Sequence, residues 1–309
     1  MVMEAPTPDL SAVRQSLTSI KDTKGIIAFR IFNGVFLTVL CAVTIYPFIN
    51  LIAKSFSSEG AISRGEVNLI PVGWNITTFL AVVKDPMFWT NYRNTIVYTV
   101  LGTLIAMALT TTFAYALSRR NLPGRNIFVG IAVFTMFFSG GMIPNYIVIT
   151  QWLHMRNTIW AIVLPGAISV FNLLVMKSFF EGFPVELEEA AALDGVSAYG
   201  IFFRIVLPLS KAVLATMILF YAVGQWNSWF GALMYLDQKE MYPVMMYLRN
   251  LIAGAMGSQD VTGSATDAVQ ISANIQSVTM LLTVLPIVCV YPFVQKYFVS
   301  GVMLGSVKG

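Results

Sequence analysis

The chain has 309 residues, 57% of them hydrophobic and 11% charged, with a net charge of +4 and a mean hydropathy of +0.73. Soluble domains carry about 25% charged residues, so so few charges cannot cover a water-facing surface of this length, and lipid is the expected solvent. The small basic excess does not point to nucleic acid, because its distribution along the chain matters more than its sum.

Residues 1–25 read as a polar cytoplasmic tail with Pro6, Pro8 and mixed charges. With the long apolar stretch that follows, they resemble an uncleaved signal-anchor rather than a cleavable signal peptide. Charge-free windows then occur at 31–53, 94–118, 126–153, 157–176, 212–236 and 268–295. Each reaches the roughly 17–25 residues a membrane-spanning helix needs, which predicts six transmembrane helices within 26–300. The third window contains "FSGGMIPN", so its helix is expected to bend or unwind near Gly140 to Pro144.

The loop 54–92 is expected outside, with a short helix in "EVNLIPVGWNITTFLAVV" and with Trp74, Phe88, Trp89 and Tyr92 in the headgroup belt. The loop "SRRNLPGRN" holds Arg119, Arg120 and Arg125, the densest basic cluster, and is therefore assigned to the cytoplasm. Both termini follow it inside, including the short tail 301–309. A second external loop, 236–275, is rich in Gly and Ser towards its end and reads as a mobile probe carrying Lys239 and Arg249. Cys41 and Cys289 both fall in predicted spans, so neither a disulfide framework nor a zinc site is expected. His154 adjoins a span end and reads as an interfacial residue.

Between the fourth and fifth windows lies "EEAAALDGVSAYGIFFRIVLP". Pro184 suits a first helical turn, and Glu186, Glu188 and Glu189 sit near the positive end of the helix dipole. Ala190, Ala191 and Ala192 favour helix and leave little bulk, and Gly195 is a natural stop. A second short helix is expected from there towards Leu207-Pro208. Residues 184–208 thus form a helix–turn–helix elbow, acidic at its start and smooth along one face.

A route through a membrane for a polar, ring-shaped solute needs aromatic faces beside amides and hydroxyls. Tyr221, Gln225 and Ser228 repeat at helical spacing, Trp229 stands one turn beyond Gln225, and Trp226 and Asn227 add to the run from another face. Asn172, near the middle of the fourth window, should face the bundle, because an unpaired amide in lipid is costly. The plainer alternative for the amides is a bond between neighbouring helices, and for the aromatics a place in the belt.

The spacing Glu189-Ala190-Ala191, three residues, Gly195, nine residues, Ile205, one residue, Leu207-Pro208, with Asp194 before the glycine, resembles the signature of permease subunits of binding-protein-dependent ABC importers. "NTIVYTVLGTLIAMALTTTFAYALSRRNLPG" is similar to the second span and following loop of maltose-type carbohydrate permeases. "FSGGMIPNYIVITQWLHMRNTIWAIVLPGAISVFNLLVMKSFF" resembles a subgroup handling complex oligosaccharides, acidic ones such as alginate included. The resemblance implies an all-α membrane protein with the maltose-type permease fold, six transmembrane helices and a cytoplasmic coupling elbow.

It also implies a bacterial inner-membrane location and half of a saccharide translocation path. The implied partners are a second homologous permease, a dimer of cytoplasmic ABC ATPases and an extracytoplasmic solute-binding protein, in contact with lipid and no nucleic acid. In this family the elbow docks on the ATPase, so Glu186, Glu188, Glu189, Ala190, Ala191, Asp194, Gly195, Ile205, Leu207 and Pro208 are the implied coupling residues. The tail "GVMLGSVKG" is a further candidate contact with it. The chain has no G-x-x-x-x-G-K-[ST] run and so no phosphate cradle. No catalytic residue, metal or cofactor is expected on it, ATP and magnesium belonging to the partner. The rival reading, a six-helix secondary carrier, would place an ionisable group inside a span, and all six windows lack one.

Overall fold

A computed structural model describes residues 24–257, 274–290 and 292. The described residues are mostly helical and contain no strand. The tails 1–23 and 301–309, the Gly/Ser-rich stretch 258–273 and the end of the sixth window lie outside them.

Residues up to Leu51 form one compact unit and residues from Ile52 onwards another. The first unit is helical from Lys24, the start of α1 (Lys24–Ser55), a 32-residue helix with Pro47 inside it. Its side chains are exposed over 24–49 and apolar on every face, the pattern of a helix whose surroundings are hydrocarbon.

In the second unit, α2 (Glu59–Ser63) and α3 (Thr77–Lys84) precede the long α4 (Pro86–Ser118). Asp85 caps α4 by accepting from the Met87 N–H at 2.9 Å, with Pro86 in the first turn, where its missing donor costs nothing. Phe88, expected in the headgroup belt, is instead buried with Val82, Val244 and Val278. Trp74 and Trp89 are exposed.

The third window is broken. α5 (Arg125–Phe137) and α6 (Met142–Ile147), the latter continued by a π-helical turn over Val148–Trp152, meet at 111° across 138–141. Gly141, at φ +90°, takes a backbone conformation that side-chain-bearing residues avoid. The fourth window is also interrupted: α7 (Trp160–Val163) and α8 (Val170–Glu181) are separated by 164–169. After the elbow come α12 (Lys211–Trp226), α13 (Phe230–Tyr235), a 3₁₀ turn at Lys239–Met241, α14 (Val244–Gly257) and α15 (Asn274–Val290). Among the described residues two helices, α1 and α4, are by themselves long and apolar enough to cross a membrane; each of two bent pairs adds one more if it is a single span, giving up to four.

α4 packs along both α12 and α8. Leu117, Leu173, Met176, Phe180 and Met217 bury themselves in one cluster where these helices meet. Small residues on the α4 face, Gly102, Ala106 and Ala114, are fully or almost fully buried and allow close approach of the neighbouring helices.

The external-loop expectation splits. Residues 236–257 are regular structure stitched to α4. The Asn94 amide donates to the Glu240 and Tyr242 carbonyls at 2.6 and 3.2 Å, the Tyr98 hydroxyl to the Met241 carbonyl at 2.7 Å, and the Val244 N–H to Thr95 Oγ1 at 2.7 Å. The Tyr247 hydroxyl donates to Asp85 at 2.6 Å. Burial, then this bond and the Asp85 charge, raise that phenol well above its ordinary value. Arg249 stacks on Trp229 with its guanidinium carbon 4.9 Å from the ring centroid, and Lys239 is exposed.

Candidate functional site

A cavity of about 1060 Å³ lies among α6, the 164–169 break, α8, α12 and α13. Both helix interruptions serve it. The break after Val163 places Pro165, Gly166 and Ser169 on its wall, and the bend at 138–141 brings Asn145 there.

Of the seven residues expected along the route, Asn172, Tyr221, Gln225 and Ser228 line this cavity. Asn172 sits in the first turn of α8 rather than mid-helix, with its N–H donating to the Ser169 cap oxygen at 3.4 Å. Its side chain is 6% exposed, and among the described residues neither its amide nor that of Gln225 has a hydrogen-bond partner. The cavity side of these amides is free to meet a ligand's hydroxyls.

Tyr221 has a different role. Its hydroxyl is within 2.6 Å of Thr110 Oγ1 and accepts from the Ser169 N–H at 3.1 Å, so its oxygen fixes the break to α4 while its ring faces the cavity. Gln225 lies against Gly102: a Cβ added there would come within 2.6 Å of its Nε2.

The other three are placed elsewhere. Trp226 is buried and donates its indole N–H to the Thr283 carbonyl at 3.1 Å, on α15. Asn227 is exposed and returns its amide to the Val223 carbonyl at 2.9 Å. Trp229 packs with Tyr98, Ile162 and Met246. The 3.6-residue period carries Trp226 and Asn227 off the Tyr221–Gln225 stripe, and α12 ends at Trp226, so spacing across 227–229 no longer follows helical rules. Asn145, Ser169 and Tyr235 also line the wall and were not singled out in the sequence; the "GGMIPN" break and the Ser169-x-x-Asn172 cap were the available signals. The lining residues carry no charge.

The second feature is the elbow. α9 (Val185–Leu193) starts after Pro184, which stands just before the first turn rather than in it. It ends in a reciprocal C-terminal cap: Val196 N–H to the Ala191 carbonyl and Gly195 N–H to the Ala192 carbonyl, both at 3.0 Å. Gly195 holds φ +79°, the left-handed position that this motif requires. α10 (Ala198–Ile201) follows, capped by Ser197, whose Oγ accepts from the Gly200 N–H at 3.2 Å. A π-helical turn over Phe202–Val206 and the short α11 (Leu207–Leu209) lead to Ser210, where the chain bends by 82° into α12.

The acidic and alanine positions divide between two faces. Ala191 is buried against the bundle with Ile201 and Val206. Glu186, Glu189, Ala190, Ala192 and Asp194 are exposed, and Leu193 and Tyr199 are 89% and 79% exposed. Glu188, one of the implied coupling residues, is half-buried. It turns inward and pairs with Arg119, whose guanidinium carbon lies 4.3 Å over the Tyr115 ring. Arg125 pairs with Glu181 and donates from Nε to the Leu117 carbonyl at 2.7 Å. One member of the arginine cluster read as a topology signal, Arg119, therefore also braces the elbow, while Arg125 braces the end of α8. Ile205 is half-buried and Pro208 exposed at the bend.

Broken helices around an uncharged, amide-lined cavity, with a helix–turn–helix elbow packed on the same bundle, are the features expected of a membrane permease subunit. The chain belongs to the permease subunits of ABC sugar importers. It is 40% identical over 295 residues to Protein LplC of Bacillus subtilis, covering 94% of this chain and 98% of that protein. It is 38% identical over 275 residues to the polygalacturonan/rhamnogalacturonan transport system permease protein YtcP of Bacillus subtilis, covering 89% and 96%. The crystal structure of a bacterial ABC transporter involved in the import of the acidic polysaccharide alginate contains a similar chain, with TM-score 0.81 and 31% identity over 91% of this chain and all of that one. No protein-family model matches the chain.

Proposed function

We propose that this permease passes an acidic oligosaccharide, alginate- or galacturonan-like, across a bacterial inner membrane as one half of a paired path. Six spans are inferred: α1, α4, the bent α5–α6 pair, the interrupted α7–α8 pair, α12 with α13, and the last window through α15. Both termini, the arginine loop and the elbow then lie in the cytoplasm, and 236–257 outside. The support for the fourth and fifth spans is the charge-free sequence rather than helix length, since helices broken around a cavity are tolerated at membrane depth.

The observation that carries the transport reading is the cavity wall formed by Asn172 and Gln225, amides with no hydrogen-bond partner among the described residues, beside the Tyr221 ring. Amides bond hydroxyls and aromatic faces stack on sugar rings. Because the lining bears no charge, selection for an anionic sugar falls to the second permease or to the solute-binding protein.

The elbow's exposed surface supports docking to an ATPase dimer: Leu193 and Tyr199 as apolar knobs, with Glu186, Glu189 and Asp194 at the rim facing basic groups. ATP and magnesium are held by that partner; the tail 301–309, a candidate contact with it from the sequence, lies outside the described residues. Purification of the co-expressed complex in mild detergent tests this. The ATPase should be retained, and alginate or galacturonate oligomers should stimulate turnover. Glu189→Lys or Gly195→Pro should leave the chain inserted and uncouple hydrolysis from uptake. Unchanged uptake and unchanged stimulation in both variants would reject the coupling role.

A further inference from the structure

We infer that Arg119 is a positioning residue that makes α4 a second mechanical arm between the elbow and the cavity, in addition to the covalently attached α8 and α12. The inference rests on the docking of the elbow to an ATPase proposed above.

Arg119 stands at the end of α4, one residue past its last turn. Its guanidinium meets three partners at once: the Glu188 carboxylate on α9, the Tyr115 ring face, and Ser118 Oγ at 3.1 Å. Tyr115 in turn reaches Glu188 Oε2 with its hydroxyl at 3.4 Å and packs on Phe202 and Phe180, with ring centroids 4.8 and 5.9 Å away. One α4 turn is thus tied to α9 by charge, and to both α8 and the turn after α10 by packing.

Stability alone does not account for the pair. Glu188 Oε1 and Arg119 Nη2 are buried and have no partner among the described residues. The pair is part-buried, with 29% and 12% of its side chains exposed, so the two atoms left without a partner offset part of its attraction, and an attested use of such a pair is to fix register. Two nearby cations, Arg125 and Lys177, are engaged elsewhere, both pairing with Glu181.

The same helix touches the cavity wall at two points. Thr110 holds the Tyr221 hydroxyl and Gly102 seats Gln225. From Ser118 to Gly102 a continuous helix spans about 24 Å at 1.5 Å per residue. A displacement of α9 acting through Arg119 therefore moves Tyr221 and Gln225 without passing through the 82° bend at Ser210. Packed side chains, charge pairs and rigid helices of this kind carry coupling between distant sites.

The test uses the whole complex with its ATPase, in a chain carrying Cys41→Ser, Cys289→Ser and Ser228→Cys, labelled by a small maleimide. Trapping with ATP and vanadate should change the labelling rate by at least about threefold, the mark of a shifted population. Arg119→Ala should still co-purify with the ATPase but lose that response. Arg119→Glu should lose it too, and adding Glu188→Arg should restore it, which a mere loss of packing does not predict. A full response in Arg119→Ala, or a charge exchange that restores nothing, overturns the inference. A parent chain that retains its ATPase but shows no response overturns the elbow reading itself, which separates the two failures.

Discussion

Replacing Gly102 by alanine tests whether the Gln225 amide belongs to the recognition surface. The added methyl would sit 2.6 Å from Gln225 Nε2 and 2.9 Å from its Cδ, so the side chain must swing away from α4. Overpacking in a dense interior costs about 1–3 kcal/mol, while alanine in a helix interior is about 0.5–1 kcal/mol better than glycine. The difference is a destabilisation of about 0–2.5 kcal/mol, towards the low end because the atoms that must move belong to a flexible chain end. An amide moved out of register forfeits one hydrogen bond to sugar, about 0.5–1.5 kcal/mol, which converts to a rise of about 2- to 12-fold in half-saturation. Substrate-stimulated ATP turnover measured against oligosaccharide concentration reads this directly, with thermal unfolding in detergent alongside. An unchanged half-saturation in a well-folded Gly102→Ala complex would refute the role given to Gln225. Large destabilisation with normal half-saturation would instead make Gly102 a packing residue only.

Asn172→Leu should leave detergent stability nearly intact, since its amide has no partner among the described residues, and should lower uptake; lost stability with normal uptake would make it structural. Tyr221→Phe should destabilise the bundle by about 1–3 kcal/mol by orphaning buried Thr110 and the Ser169 N–H. Thr110→Val added to it should recover part of that loss, as thermal shifts would show. After α13, hydrogen bonds from Arg156 and Asn157 hold the Asp237 carboxyl below its ordinary 3.8. A group whose folded value is depressed contributes stability that is present above its unfolded value and lost as pH falls through the folded one. Melting of the protein should therefore respond to this pair only in acid below the ordinary carboxylate range. Asp237→Asn should remove that part of the acid sensitivity and leave the profile near neutral pH unchanged in shape.

Periodicity and charge made much of the fold legible in advance. The long apolar stretches of α1 and α4 follow from the absence of any charged residue over 31–53 and 94–118. The Gly195 stop followed from backbone sterics alone, and the break near Gly140 from a Gly-Gly pair followed by proline. The division of the cavity residues was legible only within α12. Tyr221 and Gln225 share a stripe set by 3.6 residues per turn, whereas the stripe ends where the helix does, and Trp229 cannot be placed by counting.

What the sequence by itself determined is where the chain meets lipid, where helices stop, and which loop carries the family's Glu-Ala-Ala spacing, because these are local consequences of side-chain chemistry and backbone freedom. What only the tertiary structure decided is partnership. Glu188 looks like its neighbours Glu186 and Glu189 in sequence, yet it alone of the three turns inward to Arg119, 69 residues earlier. Thr110 and Tyr221 meet across 111 residues. Such pairs depend on which helix faces pack together, and that is fixed by the sum of many weak contacts rather than by any stretch read alone.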